Sequence, residues 1–277
     1  MYPILLKVGS FELRSYGVVI ALAILAAYLL ARREAARRGM DPRLVEDFTF
    51  FAILFGIMGA RLYYIAFFDP GMFLRQPLMV LALWKGGLAI HGALLAGLLT
   101  GIWFCRKHHI SFWIFADTLA PALILGQAIG RLACFLNGDA YGIPTTVPWA
   151  VTFTDPNALA PLGVPRHPTQ LYEMGLDLFL FGSLWALRRR RLLPGQLFLF
   201  YAGGYAVIRF VVETFRQDQL QFAGGVSAAQ TLSVLVLVGT LLAFVLLRRK
   251  MEREREGSRH RRSVPQRSGG RKRNTER

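Results

Sequence analysis

The sequence predicts an all-α polytopic membrane protein, a bundle of about seven transmembrane helices with a small periplasmic cap between the fourth and fifth. Three observations predict it. The 277 residues are 54% hydrophobic and only 18% charged, with a mean hydropathy of +0.38, too apolar for an ordinary soluble domain. Seven apolar stretches each approach the ~20 residues that a helix needs to cross ~30 Å of hydrocarbon. The basic residues fall in alternate loops, the bias that orients membrane helices. Helices are the only open-ended way across, because lipid cannot satisfy unpaired backbone N–H and C=O groups.

Residues 1–15 are too mixed in polarity to span and are read as an N-terminal segment at the periplasmic interface. The first span, 16–33, is preceded by only Lys7 and Arg14 but followed by Arg32, Arg33, Arg37 and Arg38. A signal peptide has the opposite asymmetry, so this helix is expected to remain uncleaved with its N-terminus outside. The other spans are placed at 47–68, 86–105, 112–132, 169–187, 195–214 and 228–247. Arg43, Arg106 with Lys107, the arginine run 188–191 and the tail from Arg248 mark the cytoplasmic side, alternating with poorly basic loops at 69–85, 133–168 and 215–227. An odd number of crossings satisfies this pattern.

The long loop 133–168 holds six prolines and enough polar residues to predict a structured cap, with one short strand inside "VPWAVTF", 147–153. Residues 248–277 are nearly devoid of apolar side chains after Met251 and are expected to form a basic, disordered cytoplasmic tail. The net charge of +16 therefore reads as a topology signal drawn to anionic lipid, with no nucleic-acid partner. Cys105 and Cys134 show no CxxC spacing and no third thiol, so buried free thiols are expected.

Ionisable residues inside spans carry the functional signal, since each costs at least ~2.5–3.5 kcal/mol at the bilayer centre and needs a partner or a purpose. They are Arg61, His91, Asp117, Arg131, Glu173, Asp177, Arg209 and Glu213. Tyr201, Tyr205, Arg209 and Glu213 recur every four residues, with Arg216 three further on, and so share one helix face that must turn inward. An Arg209–Glu213 pair that merely fixes packing is the alternative. His91 stands among Gly86, Gly87 and Gly92, where low bulk permits close helix approach or admission of a ligand. An imidazole there suits a general base, or equally a hydrogen bond to a neighbouring helix. In "GRLACFLNGDAYG", 130–142, Arg131 ends a span, Gly138 and Gly142 leave room for a ligand, and Asp139 offsets charge. Arg131, Arg209 and Arg61 could together hold a phospholipid phosphate, the anion that guanidinium matches best. For Arg131 alone, snorkelling from a helix end explains as much. "RHPTQLYE", 166–173, reads as a helix start with Glu173 in its first turn.

Together these residues resemble the bacterial prolipoprotein diacylglyceryl transferase family, whose signature is approximately G-R-x-G-N-F-x-N-x-E-x-x-G. Gly130, Arg131, Phe135, Asn137 and Gly142 match it. The likeness extends through Tyr16–Gly17, "GARL" with Arg61, "GGLAIHG" with His91, "ADTLAP" with Asp117, "HPTQLYE", and "YAVIRFVVETFR" with Tyr205, Arg209, Glu213 and Arg216. Ala133, Cys134 and Asp139 depart from the signature's Gly, Asn and Glu.

The resemblance implies that residues 16–247 form a catalytic domain in the bacterial inner membrane. There it would transfer diacylglyceryl from phosphatidylglycerol to the lipobox cysteine of a prolipoprotein and release glycerol phosphate. It implies no metal or cofactor, and a nucleophile that belongs to the substrate. His91, Arg131 and Arg209 are the expected catalytic residues, and Tyr16, Arg61, Asn137, Asp139, Gly142, Tyr205 and Glu213 complete the substrate site with Arg131. Two competing readings are a non-enzymatic transporter or lipid-binding protein for organophosphate anions, and a relative that binds the lipid without transferring it.

Overall fold

The computed structural model describes residues 2–9, 11–71, 87–218 and 227–263. The chain opens with a hairpin, β1 (Ile4–Val8) and β2 (Phe11–Arg14), antiparallel and turned at Gly9, whose φ is 62°. Lys7 and Glu12 pair across it at 2.7 Å. The amide and hydroxyl of Ser15 both donate to the Pro3 carbonyl, at 3.0 and 3.3 Å, and tie the hairpin to the first helix. Seven helices follow among the described residues: α1 (Ser15–Arg37), α2 (Arg43–Phe68), α3 (Ile90–Lys107), α4 (Phe112–Asn137), α5 (Thr169–Leu187), α6 (Gln196–Glu213) and α7 (Ala228–Ser263). Between α4 and α5 lie two short paired strands, β3 (Val151–Thr152) and β4 (Pro165–Arg166).

Five described helices, α1, α2, α4, α6 and the part of α7 from Ala228 to Arg249, are long and apolar enough to cross a membrane. Two more polar helices complete the bundle, α3 ending on Arg106 and Lys107 and α5 carrying Glu173 and Asp177. Large apolar side chains cover the outside: Phe179 is 76% exposed, Leu241 60% and Leu246 63%. Hydrocarbon is the solvent such a surface requires. The chain is thus an all-α, multi-pass membrane protein.

Small residues set the packing. α2 lies against α3 where Gly59 meets Gly92; a Cβ on Gly59 would stand 2.7 Å from the Gly92 carbonyl oxygen, and one on Gly92 would collide with the Gly59 carbonyl. Without a hydrophobic drive between helices in lipid, this close backbone approach lets dispersion hold the pair. Gly92 therefore serves helix contact, one of the two uses open to it in the sequence. α1 packs along α4, where Gly126 faces Ala23 and Ala27.

Two buried charges lock the end of the bundle opposite the strands. Asp117 of α4 accepts the amides of Gly195 and Phe198, both at 2.8 Å, and so caps the start of α6. Glu34 of α1, 2% exposed, is surrounded by Arg37, Arg38 at 3.0 Å and Arg188 at 3.3 Å. Beside them Phe104, Phe115, Val45 and Ala35 form a core. A second core of Ile124, Leu184 and Leu197 abuts Tyr201 and Tyr205.

The helix α7 runs on to Ser263, well into the basic tail, where Arg, Glu, Lys and Met are all strong helix formers. Residues 264–277 of that tail lie outside the described residues, as do residue 86 and most of the 69–85 and 215–227 loops.

Candidate active site

Four helices deliver the inward-facing polar residues to the end of the bundle that bears the strands. Arg131 lies near the C-terminus of α4, and its Nη2 donates to Glu173 Oε1 on α5 at 2.7 Å. From α6, Arg209 Nη1 donates to the other carboxylate oxygen, Oε2, at 3.3 Å. Tyr205 sits between them: its hydroxyl donates to Glu173 Oε1 at 3.2 Å and accepts from Arg131 Nη2 at 3.4 Å. Two guanidiniums from separate helices thus converge on one carboxylate.

The network continues outward along α6. Arg209 Nη2 reaches Glu213 Oε2 at 2.8 Å, one turn away. Glu213 also accepts the hydroxyl of Ser227, at the start of α7, at 2.6 Å. Arg216 meets Glu213 at 3.8 Å and Asp218 at 3.0 Å. The Arg209–Glu213 pair expected from the sequence therefore exists, but as one link in a longer chain. Three guanidiniums alternate with three carboxylates in it, so the assembly is close to neutral.

Beyond α4 the chain turns sharply. Gly138 caps the helix at φ 76° and Ala140 follows at φ 55°. Thr169 and Gln170, opening α5, donate to the carbonyls of Ala140 and Asp139 at 2.7 and 2.6 Å and hold this strained turn. Burial pushes the Asp139 carboxyl above the ordinary aspartate range, while the Cys134 thiol hydrogen bond, Arg131 and Asn137 pull it back. Cys134 and Asp139, two of the three departures from the family pattern, thus lie beside each other. Tyr16, at the start of α1, lies within electrostatic reach of Cys134, Asp139 and Arg131.

Gly142 differs from its expected part as a gap for a ligand. A Cβ there would collide with the His167 carbonyl and stand 3.0 Å from the Phe215 carbonyl oxygen. The room is already filled by this chain's own backbone, because Gly142 bridges to Arg216 as Ile143 donates to Phe215 at 2.9 Å. Arg166, 4% exposed, clamps the same strand by donating to the Gly142 carbonyl at 3.1 Å and to Gln217.

Arg61 and His91 belong to the α2–α3 pair. Arg61, 3% exposed, donates to the Gly87 carbonyl at 3.1 Å; His91 is exposed at the start of α3, its ring 5.9 Å from that of Tyr63. Tyr16, Arg131, Asn137, Asp139, Tyr205, Arg209 and Glu213 are gathered round one end of α4 and α6, and the two α2–α3 residues are presented separately.

Sequence reasoning counted Glu173, the hub of this arrangement, among the ionisable residues inside spans but read it as part of a helix start and gave it no place in the site. Its signal was there: Glu173 and Asp177 repeat at four residues inside an apolar stretch. Arg166 and Gln217 had none, lying in polar loops 51 residues apart.

Fold and site define a class: a multi-pass membrane protein whose helices bury an arginine–carboxylate network at one end of the bundle. The family model described as prolipoprotein diacylglyceryl transferase matches residues 3–246. The chain is 37% identical over 260 residues to the phosphatidylglycerol–prolipoprotein diacylglyceryl transferase of Bordetella avium, covering 91% of this chain and 97% of that one. Likewise it is 39% identical over 256 residues to that of Geobacter sulfurreducens, covering 90% and 96%, and 39% over 249 residues to that of Synechocystis, covering 86% and 87%. The chain belongs to the prolipoprotein diacylglyceryl transferase family.

Proposed function

We propose that the chain transfers the diacylglyceryl group of phosphatidylglycerol to the lipobox cysteine of a prolipoprotein, with loss of glycerol phosphate. One observation carries this reading: Arg131 and Arg209, from different helices, bind the two oxygens of a single carboxylate at 2.7 and 3.3 Å. Guanidiniums that share one bidentate anion are spaced for another, and phosphate is the anion they match best.

In this reading the substrate thiolate attacks the glyceryl carbon, an S–C bond forms, and the C–O bond to phosphate breaks. Arg131 and Arg209 stabilise the charge that grows on the departing phosphate, which is where preorganised donors contribute most. Only the thiolate is an effective nucleophile, so the thiol proton must leave. His91 is the proposed base, and Arg61 a further phosphate contact brought by the α2–α3 pair. Tyr16, Asn137, Asp139, Tyr205 and Glu213 line and charge-balance the pocket; Gly142 acts by fixing the strand beneath it. The chemistry calls for no cofactor or metal and no nucleic acid.

The architecture that goes with this function has seven crossings, with α3 and α5 completing the five more apolar helices. Residues 1–15 lie at the periplasmic interface, 133–168 form the periplasmic cap of a catalytic domain spanning 16–247, and 248–277 form a cytoplasmic basic tail. The membrane is the bacterial inner membrane, where arginine-rich loops stay cytoplasmic.

Purified protein incubated with phosphatidylglycerol and a synthetic lipobox peptide should convert the peptide to its diacylglyceryl thioether, read as a mass increase. Arg131→Ala and Arg209→Ala should abolish conversion while the protein remains folded. Full activity of folded Arg131→Ala would end this assignment.

A further inference from the structure

We infer that Glu173 is a positioning residue that sets the spacing of Arg131 and Arg209 and weakens their hold on the released phosphate. The inference rests on the proposal that these two arginines bind the lipid phosphate. It concerns a different step, the departure of the product.

The geometry places the carboxylate behind the guanidiniums. The Glu173 side chain is 2% exposed, whereas those of Arg131 and Arg209 are 18% and 17% exposed. A ligand therefore reaches the arginines first and Glu173 scarcely at all. Each guanidinium carries five N–H donors. Arg131 spends Nη2 on Glu173 and Tyr205, and Arg209 spends Nη1 on Glu173 and Nη2 on Glu213. Donors are left over on both for a phosphate in front while the carboxylate stays in place.

Among the described residues, Glu173 is also the one carboxylate that touches both arginines. Arg209 has a second carboxylate in Glu213, whereas among the described residues Arg131 bonds to Glu173 and Tyr205. Without the shared carboxylate, two like charges from separate helices would repel and drift.

Charge explains why such a tie matters at the end of the reaction. The substrate phosphodiester carries one negative charge. When its C–O bond breaks, the phosphate becomes a monoester with about −1.5 to −2 at neutral pH. Arginines arranged to hold the first anion hold the second more strongly, so product would accumulate on the enzyme. A buried negative charge touching both guanidiniums opposes this, because it weakens the field felt by an anion on their exposed side. Glu173 trades some affinity for turnover.

The test compares wild type, Glu173→Gln and Glu173→Asp as full-length purified proteins. It measures kcat, KM for phosphatidylglycerol, and the inhibition constant of glycerol phosphate, with thermal melting to establish folding. Glu173→Gln should lower the inhibition constant at least about tenfold, the response to ~1.4 kcal/mol, and lower kcat, with a smaller change in KM. Glu173→Asp keeps the charge on a shorter arm, so its inhibition constant should stay within about threefold of wild type while kcat falls. A residue that only stabilises the fold would move the melting temperature and leave the inhibition constant alone.

An unchanged or raised inhibition constant in folded Glu173→Gln overturns the inference. Should that variant fail to fold, an inhibition constant shifted in Glu173→Asp with kcat intact overturns it instead. Arg131→Ala separates this failure from failure of the underlying reading. If it weakens glycerol phosphate binding while Glu173→Gln does not tighten it, only the role of Glu173 falls. If Arg131→Ala binds glycerol phosphate as wild type does, Arg131 is no phosphate ligand and both fall.

Discussion

Replacing Gly142 by alanine adds one methyl group at the point where the connection between α4 and α5 meets the residues that follow α6. That methyl would stand 2.7 Å from the His167 Cβ and 3.0 Å from the Phe215 carbonyl oxygen, as well as striking the His167 carbonyl. Two of these neighbours are backbone atoms on opposite sides, so no flexible side chain can yield. Overpacking of this kind costs ~1–3 kcal/mol. The bonds most exposed to the displacement are Ile143 to Phe215 at 2.9 Å and Gln217 to Tyr141 at 3.2 Å, each worth ~0.5–1.5 kcal/mol. Together the cost is about 2–6 kcal/mol, applied locally. Even its lower end raises the opening equilibrium of this strand roughly thirtyfold.

Hydrogen exchange followed by mass spectrometry reads this directly. The amides of Ile143 and Gln217 should exchange at least about thirtyfold faster in Gly142→Ala, while protection in α1 and α4 is unchanged. Transfer activity should fall with it, because Gly142 is bridged to Arg216, the neighbour of Glu213. Wild-type exchange at both amides would show that the strand has slack here, and the steric argument for Gly142 would be wrong.

Two further substitutions probe the buried charges. Glu34→Gln leaves Arg188, with a side chain 6% exposed, beside Arg37 and Arg38 without their shared carboxylate. Breaking a buried pair on one side costs ~3–5 kcal/mol, so the melting temperature should drop while the transfer rate per folded molecule stays the same. An unaltered melt would mean that the cluster contributes nothing. Asp139→Asn bears on pH. Burial raises this carboxyl in the folded protein, so its contribution to stability is complete below the unfolded value of about 3.9 and is lost as pH rises through the folded value. The Asn variant should therefore melt higher than wild type at pH 7 to 8, with the gain vanishing toward pH 4. A gain that persists at pH 4 would contradict the assigned cause.

What could be read in advance follows from how locally each feature is encoded. Apolar stretches announce a span by themselves, and all seven expected stretches contain a described helix, with ends displaced where polar residues continue the turn, as in α4 to Asn137 and α1 to Arg37. The α6 stripe was legible because its residues repeat every four positions on one helix. Glu173 meets Arg131 across 42 residues, and Arg188 meets Glu34 across 154; no period links such positions. Glycines were ambiguous for another reason. A missing side chain shows that something comes close, and only the fold tells whether that is a ligand or, as at Gly92 and Gly142, another stretch of the same chain.

Asp117 ties the beginning of α6 to α4, and Glu173 ties Arg131 and Arg209 at their far ends. The two parallel helices are thus pinned at both extremities, like rails joined by two sleepers. From Asp117 to Arg131 is about 21 Å of helix at ~1.5 Å per residue. In a thinner or thicker bilayer neither rail can slide past the other, so any mismatch must be met by tilting both together. The two arginines then keep a common height whatever lipid surrounds them.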